Sequence, residues 1–239
     1  MEVEIIYEDN DVLAVNKPAG LKVHGDESGS EETLSDWILA RNPEMKNVGK
    51  PLTLLNGKVI LRPGIVHRLD KDTSGVLVIG KNESAFEFLK KQFQDRSLKK
   101  TYRAVVYGEV KGTTGIINKP IGRSLIDFRK RAIKPDLSGD AREALTQYKV
   151  LSATPDYSYL EVYPKTGRTH QIRVHLKSIG HPIVCDKLYT PKRPCPAGLS
   201  RQALHAFQIE LTLPIGGRIL LEAPEPKDFR ALLAALKLV

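Results

Sequence analysis

The chain opens with two short runs in which apolar and polar positions alternate, Val3 to Tyr7 and Val12 to Asn16. That is strand periodicity, and Asp9-Asn10-Asp11 supplies a turn between them. Lys17-Pro18-Ala19-Gly20 breaks the pattern. From Thr33 the spacing changes: Leu34, Trp37 and Ile38 fall at helical intervals, and Asn42-Pro43 ends the helix they predict. Residues 44 to 64 are rich in Gly, Pro, Asn and Lys. They read as a long loop or an exposed hairpin, with Leu54-Leu55 and Val59-Ile60-Leu61 flanking Asn56-Gly57. Val76 to Ile79 is an unbroken apolar run, as in a buried strand. Asn82 then caps a helix with Ala85, Phe86, Leu89 and Phe93 on its apolar side.

Alternation returns from Tyr102 to Val110, and residues 112 to 145 are turn-rich and basic. Tyr148 to Ser152 and Tyr159 to Tyr163 form a strand pair around Thr154-Pro155-Asp156. Thr169 to Ile179 predicts a helix capped by Thr169, striped by Ile172, Leu176 and Ile179, and stopped by Gly180. Strands at Gln208 to Leu213 and Arg218 to Glu222 flank Pro214-Ile215-Gly216-Gly217. A short amphipathic helix from about Pro226 ends the chain, with Leu232, Leu233 and Leu236 turned to the core. Strands and helices mix without a regular βαβ beat, which predicts an α+β fold with a largely antiparallel sheet. The 239 residues fit one large domain or two small lobes.

Charge narrows the partners. The formal net charge is +9, which suits a polyanion such as RNA, DNA or an anionic membrane surface. No apolar run approaches the roughly 18 residues that span a bilayer. The N-terminus lacks the basic stretch and long apolar run of a signal peptide. Cys185 and Cys195 are not spaced as a C-x-x-C pair and have no second Cys/His pair at zinc spacing. The expectation is two free thiols in a reducing cytosol, and a cytoplasmic protein.

Three segments carry candidate chemistry. Residues 63 to 75 pack Asp70 and Asp72 among His67, Arg68 and Lys71, at the mouth of the strand beginning at Val76. A carboxylate held there acts as nucleophile or base if a cation keeps it ionised; the same residues also suit a turn in which Asp and Ser side chains bond to backbone amides. Residues 98 to 106 put Tyr102 on a strand beside Lys99, Lys100 and Arg103. An aromatic face beside phosphate-binding charges can hold a base taken out of its stack, and a strand tyrosine can equally face a core. In residues 165 to 175, His170, Arg173 and Lys177 fall beside the apolar stripe of the helix, with Arg168 and Thr169 at its start. His170, His175 and His181 lack the spacing and the acidic partner of a zinc site, so no metal is expected. Arg173 alone would pass for a solvated helix charge. The kinase catalytic loop and the phosphate loop are excluded by spacing: Val76 to Ile79 is strand, not cradle, and Asn82 follows Lys81 where Ser or Thr would bind magnesium.

Taken together, these segments closely resemble the motifs of the RluA family of pseudouridine synthases. Residues 65–78 resemble the first motif, 100–106 the second, and 166–176 followed by 180–184 the third. Residues 7–20 and 201–206 match flanking segments, in the right order over nearly the whole chain. The resemblance implies a pseudouridine synthase fold: a long, mixed but mainly antiparallel sheet, flanking helices and a central RNA-binding cleft. It implies a single catalytic domain over residues 1–239, without the N-terminal S4 domain that many relatives carry.

For function, the resemblance implies isomerisation of uridine in ribosomal or transfer RNA, without a cofactor, by a protein expected to be a monomer. It makes Asp70 the essential aspartate, Tyr102 the residue that stacks on the flipped uracil and takes its C5 proton, and Arg173 the partner of the aspartate. Arg68 and Arg168 support the loop and its RNA contacts, and Leu204 lines the pocket. His67, Thr169 and His170 are further candidate substrate contacts. Further RNA grip would come from Lys90-Lys91, Lys99-Lys100, Arg129-Lys130-Arg131 with Lys134, and Lys192-Arg193. The sequence departs from the family at Cys185-Asp186, where Gly-Asp is usual, which bears on the local turn. The rival expectation is an RNA-binding assembly factor that keeps the fold without the chemistry.

Overall fold

A computed structural model of the protein describes residues 2–25, 31–54, 56–133 and 136–239. Leu55 and Lys134, named above, lie outside them. In chain order the elements are β1 (Glu4–Glu8), β2 (Val12–Lys17), α1 (Leu34–Arg41), β3 (Leu52–Thr53), β4 (Val59–Ile60), β5 (Ser74–Gly80), α2 (Glu83–Asp95), β6 (Lys99–Tyr107), β7 (Thr114–Asn118), β8 (Ile121–Ser124), β9 (Arg131–Ala132), β10 (Leu137–Arg142), β11 (Leu145–Ala153), β12 (Tyr157–Pro164), α3 (Gln171–Ser178), β13 (Leu204–Thr212), β14 (Arg218–Glu222) and α4 (Lys227–Ala235). The chain forms two compact units, Met1–Lys99 with Ala206–Pro224, and Lys100–His205 with Glu225–Val239.

In the first unit the strand order is β1-β2-β5-β13, with β14 paired to β13. β1 with β2, β2 with β5, and β13 with β14 all run antiparallel. β5 is buried at all seven positions, which explains why its sequence is an unbroken apolar run rather than an alternation. Its core partners include Val12, Ala14, Leu89, Ile209, Leu211 and Leu221. α1 begins as its sequence predicts. Thr33 caps it and Asp36 closes a capping box, satisfying amides that the first turn leaves orphaned. The Asn82 side chain accepts from the Ala85 amide at 2.9 Å and caps α2. The same side chain donates to Asp11 at 2.7 Å, so one residue ties α2 to the β1–β2 turn.

In the second unit the order is β6-β12-β11-β7, again antiparallel where paired. α3 and α4 supply Ile172, Leu176, Phe229, Leu232 and Leu233 to a core built on Val105, Leu160 and Val162. Residues 112 to 145, expected to be turn-rich, hold four strands; β10, β8 and β9 make a small antiparallel sheet of their own. These strands are short and carry polar and basic residues, so alternation did not mark them.

Two expectations in this unit are corrected. α3 begins at Gln171, one turn-forming residue later than a Thr169 cap would place it. His170 occupies the cap position in a left-handed conformation, with no side-chain cap bond. The Gln171 side chain instead accepts from the Arg168 amide and the Thr166 hydroxyl, and so organises the turn. The second correction concerns the cysteines. Cys185 and Cys195 are not free thiols; they are joined in a disulfide with Cα atoms 5.0 Å apart. They lie ten positions apart in sequence, and only the tertiary path of residues 186–194 brings them within bonding reach. Cys185 also has φ +58. That left-handed conformation is one glycine adopts freely and an L side chain only at a cost of about 1–2 kcal/mol, which accounts for glycine being usual there in the resembling family.

The disulfide closes a loop with a sequence separation of 10, and such a closure contributes roughly 3 kcal/mol by restricting the unfolded chain. Cys195→Ser is therefore expected to lower the unfolding free energy by about 3 kcal/mol relative to the oxidised wild type. Urea unfolding with and without reductant checks this: the wild type should lose the same increment on reduction, and the variant should not respond.

Candidate active site

The first unit contributes the loop from Pro63 to Thr73 that leads into β5. Every part of it is tied down. Gly64 has φ +62 and donates to the Val48 carbonyl, while the Gly80 amide donates to Gly64. A side chain at residue 64 would run into the Gly80 carbonyl, so glycine is required there. Ile65 bridges to Ile79. The Val78 amide donates to His67 Nε2 at 3.0 Å, and the His67 ring stacks on Phe93 with centroids 4.5 Å apart. With Nε2 accepting, a neutral His67 carries its proton on Nδ1. The ring's visible work is to hold the loop against β5. Leu69 is buried, Arg68 is exposed with Nη1 3.2 Å from His24 Nε2, and Asp70 is half-buried. The Asp70 carbonyl accepts from the Thr73 amide at 3.1 Å, which sets the turn that presents the side chain.

A residue that sequence reasoning passed over completes this scaffold. Lys17, at the end of β2, is 0% exposed. Its Nζ donates to the carbonyls of Pro18 at 2.9 Å, Leu21 at 2.9 Å and Lys71 at 3.0 Å. The Lys71 carbonyl also accepts from the Gly20 amide. A buried ammonium is costly unless its donors are satisfied, and here three carbonyls meet it. One of them belongs to the residue after Asp70, so Lys17 fixes the backbone on which the aspartate sits. The available signal was a lysine ending an otherwise apolar strand, immediately before Pro18-Ala19-Gly20.

The second unit holds the other candidates. Tyr102 lies on β6 opposite Val162 and packs, partly buried, against the unit's core. The cations beside it are engaged: Lys99 pairs with Glu210 at 2.9 Å, and Arg103 with Glu161 at 2.7 Å. Arg168 Nε donates to the Glu143 carbonyl at 3.0 Å, while Thr169 is exposed. His170 Nδ1 lies 3.0 Å from the Tyr189 hydroxyl. Arg173 is only 6% exposed, far from the solvated charge its position on α3 suggested, and it pairs with Asp186 at 2.7 Å. Leu204 is buried in the core at the start of β13. His175, also buried, lies between the Thr146 hydroxyl and the Lys119 carbonyl; burial pushes its pKa down and keeps it neutral.

The basic patches are less uniform than their sequence implies. Arg129 pairs with Asp127 at 2.9 Å, and Lys90 pairs with Glu87 at 2.7 Å. The connection between β8 and β9 also exposes Leu125, Ile126 and Phe128, a feature the basic composition concealed. Among the described residues no group of three or more His, Cys, Asp or Glu is arranged to hold a metal. Among the same described residues no helix is long and apolar enough to cross a membrane.

Comparison with known proteins agrees on one family. The family described as RNA pseudouridylate synthase matches residues 11–178. An uncharacterized RNA pseudouridine synthase of Synechocystis is 41% identical over 98% of this chain and 69% of its own length. A ribosomal large subunit pseudouridine synthase D of Nitrosomonas europaea is 40% identical over 98% of this chain and 65% of its own length. The chain thus spans about two thirds of the length of these relatives. Among solved structures, human RNA Pseudouridylate Synthase Domain Containing 4 superposes with a TM-score of 0.75 at 25% identity, covering 98% of this chain and 93% of that one.

The Lys17 contacts make a direct prediction. Lys17→Met removes the donor from the Pro18 and Leu21 carbonyls and one of two donors from the Lys71 carbonyl, and should lower stability by roughly 2–4 kcal/mol. Hydrogen exchange should show the amides of Gly20 and Thr73 losing protection more than those of β12, because the defect is local to the Asp70 loop.

Proposed function

The chain belongs to the family of RNA pseudouridylate synthases, and on that premise we propose that it isomerises uridine in ribosomal RNA, with Asp70 beginning the chemistry. Members of this family are isomerases that convert uridine to pseudouridine within RNA. The choice of ribosomal RNA is supported by the Nitrosomonas relative, whose name specifies the large ribosomal subunit. The cytoplasm is the compartment where such a substrate is met.

The observation that carries the assignment of Asp70 is the construction of its loop. A surface turn has no need of a fully buried lysine, a ring-nitrogen acceptor from His67 and two tightly packed glycines behind it. Catalytic groups do need such support, because small displacements are expensive in rate. The reaction breaks the bond between N1 of uracil and C1′, turns the ring, and forms a bond from C5 to the same C1′. C5 gives up its proton and N1 gains one, so composition is unchanged and no electrons are exchanged. Asp70 supplies the carboxylate that starts cleavage. We assign Tyr102 to stacking on the extruded base and taking the C5 proton, and Arg173 to pairing with the reacting carboxylate. Extruding the base costs a few kcal/mol, least in a single-stranded loop. We assign Arg68 and Arg168 to phosphate contacts, His67, Thr169 and His170 to further contacts with the substrate, and Leu204 to the apolar lining of the base pocket. Leu125, Ile126 and Phe128, between the basic residues Arg123 and Arg129, offer apolar contact to unstacked bases.

The test is release of tritium from RNA labelled at C5 of uridine, run on separate ribosomal and transfer RNA pools. Wild type should release label from ribosomal RNA. Asp70→Asn should bind RNA with unchanged affinity and release none; turnover near the wild-type rate would remove Asp70 from its role. Tyr102→Phe should keep binding but lose about 100-fold or more in rate, the usual scale for a missing general base. RNA binding without release in any pool would favour the assembly-factor reading.

A further inference from the structure

Arg173 raises a physical question that its proposed role does not answer. It is the third residue of α3, in the first turn, where the helix dipole disfavours a cation. It is also buried. A cation in that place needs a carboxylate, and the structure provides one with unusual control over its orientation. Asp186 has no exposed side-chain surface. Its Oδ2 accepts from Arg173 Nε at 2.7 Å, and its Oδ1 accepts from Arg173 Nη2 at 2.8 Å. Oδ1 also accepts from the backbone amides of Leu188 and Tyr189, both at 3.1 Å. The carboxylate is therefore aimed by its own turn, whose Thr190 amide and hydroxyl both return to the Asp186 carbonyl.

The turn holds the guanidinium from a second side. The Arg173 guanidinium carbon lies 5.0 Å from the Tyr189 ring centroid, within cation–π range. The Tyr189 hydroxyl contacts His170 Nδ1 at 3.0 Å and accepts from the Arg131 amide at 2.9 Å, so the ring cannot swing. Directly before Asp186, Cys185 is covalently tied to Cys195. Its amide donates to the Tyr107 hydroxyl, which donates in turn to the Pro194 carbonyl. A bidentate grip through Nε and Nη2 fixes the plane and rotation of a guanidinium, which a single contact does not.

We propose that Asp186 is the positioning residue for Arg173, setting the guanidinium plane with Tyr189 as its backing. This rests on the synthase reading of Arg173 and adds a residue that acts only through it. A bidentate contact leaves the Nη1 edge oriented by the Asp186 turn. Loss of Asp186 therefore misaims a group that is still present, and the expected damage is to turnover rather than to RNA affinity.

The test is a double-mutant cycle measured by tritium release, with wild type, Asp186→Asn, Arg173→Lys and the pair. Asp186→Asn should lower kcat by about 100-fold, the scale for misplacing a catalytic group, with KM within about threefold. In the Arg173→Lys background, where the bidentate fork is gone, adding Asp186→Asn should change kcat by less than about threefold. Full additivity of the two losses would overturn the proposal, because it would make Asp186 a structural residue independent of Arg173. So would Asp186→Asn retaining wild-type kcat. If Asp186→Asn fails to fold by circular dichroism, Tyr189→Leu in the same cycle decides: it should lower kcat about tenfold in wild type and hardly at all with Arg173→Lys. A wild type silent on every RNA pool would sink the synthase reading and this inference together, whereas an active wild type with a normal Asp186→Asn would sink the inference alone.

Discussion

The first unit is organised around a lysine in a place that ordinarily rejects one. Lys17 ends an apolar strand with its ammonium fully buried, and three backbone carbonyls surround it. Two of those carbonyls come from the segment just after β2, and the third comes from Lys71, 54 residues further along the chain. The contact is strong because the donor is charged and shielded from water. It is also demanding, since each partner left unmet would expose the full cost of a buried charge. The Pro18–Leu21 bend and the Asp70 loop are thereby tied to one buried ammonium. The His67 acceptor and the close approach of Gly64 to Gly80 hold the other end of the same loop.

The second unit solves a similar problem with a different kind of partner. There the buried cation is Arg173, and the partner is a carboxylate whose direction is set by backbone amides rather than by packing. Buried ion pairs contribute little net stability compared with apolar side chains of similar size. Their advantage is direction, which a reacting site needs and an apolar core cannot supply. The disulfide between Cys185 and Cys195 braces the same turn, and Cys185 tolerates a left-handed backbone that glycine would adopt without strain.

Where the chain's local chemistry agreed with its tertiary setting, it could be read directly. The Thr33 and Asn82 caps, the buried β5 and the β11–β12 pair are found within a residue or three of where the pattern places them. Their signals are short-range: a side chain that satisfies its own helix, or a run of apolar residues too long to face water. The strands between residues 114 and 142 escaped because short polar strands carry no such signal, and α3 started late because Gln171 took over the work expected of Thr169.

The candidate site divides along the same line. Asp70, Tyr102 and Arg173 stand out in the sequence because each lies in a dense, ordered motif, and the family follows from those motifs and their order. What surrounds them did not show. Lys17 looked like the first residue of a break in the pattern, Asp186 like part of a turn, and the cysteines like separate thiols. Each acquires its meaning from a partner 10 to 54 residues away. Short-range propensities and motifs are properties of neighbouring residues, so the sequence alone determines them. The partner of a buried charge and the closure of a disulfide depend on distances in space, and those exist only once the backbone has folded.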